Sequence, residues 1–168
     1  MSLSWGTDYV EKWPINFNRN PNFRKLIPDL NNKKVLDLGC GYGENDIYCR
    51  ELGAKAVLGI DISEHMLKIA MDNNKDKQIK YKLMAMEDID KLEEKFDVVV
   101  SSLAILYVKD YDKLIKDIYN VLNKDGMLIL SIDHPLRIAN KFEPWMKKIT
   151  QKLMENGFYL YQIITEKV

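Results

Sequence analysis

The chain has no apolar run approaching the ~18 residues of a membrane-spanning helix. It has no excess of either charge: 25 Lys and Arg balance 25 Asp and Glu over 168 residues, for a formal net charge of zero. That balance argues against electrostatic binding of nucleic acid, although a local basic patch survives it. Cysteine is scarce, with Cys40 and Cys49 the two present. In a Lys- and Glu-rich chain this argues against a structural disulfide and against a cysteine metal site, so no metal is expected. Histidine is equally scarce, limited to His65 and His134. Internal repeats and low-complexity tracts are absent. The opening Met1-Ser2-Leu3-Ser4-Trp5-Gly6 lacks a basic stretch followed by an apolar one, so no signal peptide and a cytoplasmic location are expected. The 46% apolar share argues against disorder, and the length suits one domain.

What is present is an alternation. Short β-branched runs predict strands at 33–38, 56–60, 79–84, 96–101 and 127–132. The intervening segments predict helices over 44–52, with Gly53 as the stop, over 63–73, with Ser63 as N-cap, and over 110–122. A helix from Pro144 to about Asn156 and a strand from Phe158 to Thr165 complete the pattern. Such alternation means an α/β fold with a mostly parallel sheet covered on both faces. The first 32 residues differ. Trp5, Tyr9, Trp13 and Phe17 recur every four residues, and Pro21 suits the start of a short helix to about Ile27. This segment reads as a helical cap or flap (1–32) on the main domain (33–168), either docked on the core or lying over a ligand.

The most informative stretch is Val35-Leu36-Asp37-Leu38-Gly39-Cys40-Gly41-Tyr42-Gly43-Glu44. A strand enters glycines and leaves them as a helix, at the end of a parallel sheet where ligands bind. Two ligands compete. A nicotinamide dinucleotide would lay its pyrophosphate on the helix N-terminus. S-adenosylmethionine instead brings a sulfonium and an ammonium. At ~4 Å and an effective dielectric near 20, the Asp37 carboxylate would repel an anion by ~4 kcal/mol and attract a cation by as much. Glu44 and Asp46 add negative charge in the first helical turn, and the third glycine is one place early for Gly-x-Gly-x-x-Gly. These features disfavour a pyrophosphate. Asp61, about twenty residues on, suits ribose hydroxyls in either ligand, or else caps the next helix.

In order, Val35–Gly43, Leu58-Gly59-Ile60-Asp61-Ile62-Ser63-Glu64-His65-Met66-Leu67, Phe96–Ala104 and Leu122–Leu128 resemble the motifs of class I S-adenosylmethionine-dependent methyltransferases. Ser131-Ile132-Asp133-His134-Pro135 is similar to a small-molecule methyltransferase subgroup. The resemblance covers about residues 20–140 and implies a Rossmann-like doubly wound sheet. It implies that Asp37 and the backbone of Gly39, Cys40 and Gly41 hold the methionine part. It implies that Asp61 holds the ribose, with Ile62 and Met66 against the adenine. Met86, Glu87 and Asp88 would edge the adenine, and Ser101 and Leu103 would face the methyl donor. Ala85 stands where the family often carries an acid. Met66, Met86 and Leu103 are equally consistent with core packing. His134 is the candidate catalytic base, or else a histidine held by Pro135 that orders the turn. Tyr42 and Tyr107 are weaker candidates for orienting an acceptor.

The expected activity is methyl transfer to a small-molecule acceptor by in-line displacement. The absent Asn/Asp-Pro-Pro-aromatic signature and the neutral charge make nucleic acid an unfavoured substrate. The alternatives are a non-catalytic S-adenosylmethionine-binding module and, behind it, an NAD-dependent oxidoreductase. The family sheet has seven strands, and here the last strand is expected to be missing. The stretch before Pro144 is short, so residues are expected to be absent near Asn140–Glu143 and after Val168.

Overall fold

A computed structural model describes residues 21–132 and 161–164. The aromatic stripe from Trp5 to Phe17, His134, the helix expected from Pro144 and the break expected near Asn140–Glu143 lie outside the described residues. Chain order is α1 (Pro21–Leu26), β1 (Lys34–Leu38), α2 (Glu44–Glu51), β2 (Ala56–Asp61), α3 (Glu64–Asn73), β3 (Ile79–Leu83), β4 (Phe96–Ser102), α4 (Tyr111–Val121), β5 (Leu122–Ile132) and β6 (Tyr161–Ile164). Two 3-10 turns, Met86–Lys91 and Ile105–Tyr107, were not foreseen in the sequence. None of the described helices is long and apolar enough to cross a membrane.

The described strands form one parallel sheet in the order β3-β2-β1-β4-β5-β6. Its order reverses beside β1, between β1 and β4, which puts a switch point at the carboxyl end of the first strand. β6 pairs directly with β5, Ile129 opposite Tyr161. β5 starts earlier than expected. Phe96 pairs with Leu122 but Val98 with Met127, so residues 123–126 bulge out of register. Asp125 takes φ 61° there. Regular pairing begins at Met127, where the sequence placed the strand.

Strand alternation divides the core. Leu36 and Leu38 of β1 join Phe96, Leu114, Ile118 and Leu128 in one layer. Val35 joins Ile27, Leu30, Cys49, Val57 and Val98 in the other. A fully buried leucine contributes about 1.5–3 kcal/mol. β4, with five of its seven residues buried, is enclosed on both faces as its apolar run implies. The segment before β1 is bound into this body: Leu30 N donates to Leu52 O and Asn32 N to Gly53 O. Arg24 lies over the Tyr48 ring, 4.5 Å from its centroid, and donates to Glu44 O.

Candidate functional site

The carboxyl ends of β1, β2 and β4 meet around Gly39–Gly43. Gly39 has φ +76°, and a Cβ there would lie 2.3 Å from Ala104 Cβ. Only glycine lets the loop pass this close to the end of β4. Gly39 N and Cys40 N both donate to Ile60 O, tying the loop to β2. A Cβ on Gly41 would meet nothing within 4 Å, so the loop presents open backbone at that point.

Asp61 closes the loop's other side. One carboxylate oxygen accepts from Gly41 N at 2.9 Å and the other from Ser63 N at 2.8 Å. Asp61 thus tethers the turn into α3, whose cap is Ser63, and also holds the glycine loop, a contact the sequence did not suggest. A carboxylate has about four lone-pair sites, so acceptor capacity is left for hydroxyl donors. Ser63 caps α3, its Oγ accepting from Met66 N at 3.3 Å. Ile62 stands 75% exposed beside this clasp, and Met66 and Met86 are half-buried. The Met86 methyl group lies 3.6 Å from the same Gly39 Cβ position.

The turn that carries Met86 and Glu87 is fastened to α4. Lys113 Nζ donates to Glu87 O at 2.8 Å and to Asp117 at 2.6 Å, with Asp90 at 3.7 Å. At the end of β4, Ser101 is buried and its hydroxyl donates to Leu38 O at 3.0 Å, cross-linking β4 to β1. The Ser102 and Ser131 hydroxyls are 3.1 Å apart. Leu103 turns the chain with φ 58° while its N–H donates to Ser131 O. A leucine in this region stores roughly 1–2 kcal/mol of strain. Tyr107 is 75% exposed, Tyr42 half-buried, and His65 exposed on α3. Cys40 and Cys49 are free buried thiols, and burial pushes both well above the usual thiol range.

Asp37 sits differently from the residues just described. It shares the Val35 face of β1, is 1% exposed, and faces Asp46, which is also buried. The sequence reads Asp46 as negative charge in the first turn of α2; the structure buries it. Positions 46 and 49 are one helical turn apart and form the buried side of α2. Burial pushes Asp37 up to about 7, with the charge of Asp61 adding to the rise and a hydrogen bond to Asp46 opposing it. Asp46 is also raised, by burial first and then by Asp37.

These groups can receive a cation and an adenosine. The loop offers open backbone at Gly41, the clasp offers ribose acceptors, and the acids Asp37, Asp46 and Asp61 bear on Cys40 of the loop. A pyrophosphate would meet those carboxylates, whereas the ammonium and sulfonium of S-adenosylmethionine are matched by them.

The comparisons with known proteins agree. A family model described as a methyltransferase domain matches residues 36–130. A candidate S-adenosylmethionine-dependent methyltransferase from Listeria monocytogenes is 43% identical, with a TM-score of 0.65 over 68% of this chain and 54% of its own. An S-adenosylmethionine-dependent methyltransferase from Mesorhizobium loti is 36% identical, with a TM-score of 0.62 over 68% and 53%. The ribosomal protein L11 methyltransferase of Thermotoga maritima is 36% identical over 74% of this chain and 43% of its own length. The chain spans about half the length of the curated relatives it matches. Those relatives correct one expectation. A small-molecule acceptor followed from the resemblance at residues 131–135, but several relatives, at 30–36% identity, are by name methyltransferases of a ribosomal protein. The motif at the end of β5 therefore does not define the acceptor class. The glycine loop, the Asp61 clasp and the matched span lead to one conclusion: the chain belongs to the class I S-adenosylmethionine-dependent methyltransferase family.

Proposed function

We propose that this chain binds S-adenosylmethionine across the Gly39–Gly43 loop and Asp61, and that methyl transfer proceeds by in-line displacement at the open end of β4. The observation that carries the reading is the Asp61 carboxylate joined to Gly41 N and Ser63 N. It fixes a carboxylate at a strand end beside exposed loop backbone, where a ribose and a positively charged amino-acid tail find partners together. When bound, S-adenosylmethionine supplies an already activated methyl group. The chain's own residues then have to position rather than activate. Asp61 orients the sugar. Ile62, Met66 and Met86 offer apolar surface to the base. Gly39 and Gly41 admit the tail, and the carboxylates behind the loop favour its charge. Leu103, held by its N–H to Ser131 O, shapes the rim facing the methyl group. His134 is proposed as the group that accepts a proton from an acceptor that loses one.

Calorimetric titration with S-adenosylhomocysteine and, separately, NADH tests the reading. Micromolar binding of the former alone, weakened in Asp61→Ala, is expected. NADH binding would overturn it. Catalysis is tested by release of S-adenosylhomocysteine with ribosomal protein L11 and with a metabolite extract as acceptors. Binding without turnover in both would leave a cosubstrate-binding module and sink the enzymatic part of the proposal. His134→Asn is expected to lower turnover and remove its low-pH limb while sparing S-adenosylhomocysteine affinity.

A further inference from the structure

Two buried carboxyl groups face each other behind the glycine loop, Asp37 from β1 and Asp46 from the first turn of α2. Among the described residues no N–H or O–H donor reaches any of their four oxygens. The hydrogen bond open to them is the one they make to each other, and two ionised carboxylates cannot make it. The pocket is built around this contact. Gly59, paired with Asp37 across β1 and β2, has no side chain, and a Cβ there would lie 2.7 Å from the Asp46 carboxylate and 2.9 Å from Cys40 Sγ. The Tyr81 hydroxyl from β3 is buried 2.2 Å from where a Gly43 Cβ would be.

The surrounding charges leave little choice. Among the described residues, Asp61 on β2, the thiols of Cys40 and Cys49 and the Tyr81 phenol are the titratable groups around the pair. Among the described residues the cation that bears on this cluster is Arg24 of α1, which acts on Cys49. β4 contributes Val98 and Val100. Like charges at this range cannot both ionise cheaply in a buried site.

We propose that Asp37 and Asp46 share one proton in the free protein, that a cationic cosubstrate arriving at the loop drives that proton into solvent, and that Asp46 is thereby a positioning residue acting through Asp37. This rests on the cosubstrate reading above. The free pair carries one negative charge. A cation held at Gly39–Gly41 favours the doubly ionised pair, so binding and deprotonation are coupled. The proton leaves to buffer, and no other bond changes. Burial raises both acids, so the pair holds its shared proton into the neutral range. Affinity therefore rises with pH while the free pair holds that proton, by up to about tenfold per unit.

The test is calorimetric titration of S-adenosylmethionine and S-adenosylhomocysteine from pH 6 to 8, in paired buffers of different ionisation enthalpy. Release of a substantial fraction of a proton at pH 6–7 is expected, larger for the sulfonium ligand. The ligand's own amino group, with a pKa of ~8, would take a proton up on binding, so the signs differ. In Asp46→Asn the amide gives Asp37 a donor without a titrating proton. Its release is expected to vanish and its affinity to become nearly flat with pH. Contributions common to both proteins cancel in the difference. Binding by the parent with no proton released overturns the proposal, as does an Asp46→Asn variant that keeps the parent's slope. Absence of binding at every pH overturns the cosubstrate reading as well, so the two failures are distinguishable.

Discussion

Asp61 spends both carboxylate oxygens on backbone amides that belong to different elements, and a substitution there loosens the loop and the α3 turn together. Each hydrogen bond to a charged group is worth roughly 1.5–3 kcal/mol. Asp61→Ala is therefore expected to weaken S-adenosylhomocysteine binding by about 10- to 100-fold, and Asp61→Asn, which keeps one acceptor, by less. Gly39 gives a second test. Gly39→Ala is expected to cost about 1–2 kcal/mol for its left-handed backbone. The contact with Ala104 adds about 1–3 kcal/mol more. Adding Ala104→Gly should return the second part and not the first, as read from urea midpoints. Asp61 and the glycines were legible in the sequence because their positions follow from where a strand stops. Asp46 was not. Its role depends on the rotation of α2 about its axis, which eight residues of low amphipathicity barely encode, and on Gly59, twenty-two residues past Asp37, clearing the space for it.

Elements were more legible than contacts. Every strand between residues 33 and 132 falls within a residue or two of its apolar run, apart from the early start of β5. For β1 and β4, burial on both faces leaves little freedom in where such a run can sit. The two 3-10 turns escaped because three to six residues carry no periodicity. Pairing of β5 reaches back before the register shift to Leu122, and beside it Asn123 Nδ2 donates to Asp97 of the neighbouring strand. The start of α3 was legible through its Ser63 cap. Asp110 accepts from Lys113 N at the start of α4, away from the glycine loop. Asp110→Ala is expected to lower unfolding stability by about 1 kcal/mol. Its S-adenosylhomocysteine affinity should match the parent's, which separates the cost of a frayed helix from the cost of a damaged site.

The whole molecule should register the buried carboxyl pair as a pH dependence of stability. An acid whose folded pKa exceeds its unfolded value binds more protons folded than unfolded between the two, so its contribution falls as pH rises. For Asp37 the window runs from 3.8 to about 7. The parent is expected to lose stability relative to Asp46→Asn between pH 5 and pH 8, as followed by urea midpoints; a constant difference would contradict the shared proton. The sheet order also bears on how the chain is made. Asp97, beside the start of β1, is 63 residues downstream of its partner Lys34, and Ser101 is equally far from Leu38. During synthesis β1, α2, β2, α3 and β3 emerge first, and β1 must wait with one edge open until the next strand leaves the ribosome. Such distant pairing forms slowly, and an unpaired apolar edge invites association with other chains. Until β4 has emerged the nascent sheet is therefore half-built, and chaperone capture in that interval would shield the strand that later anchors the glycine loop.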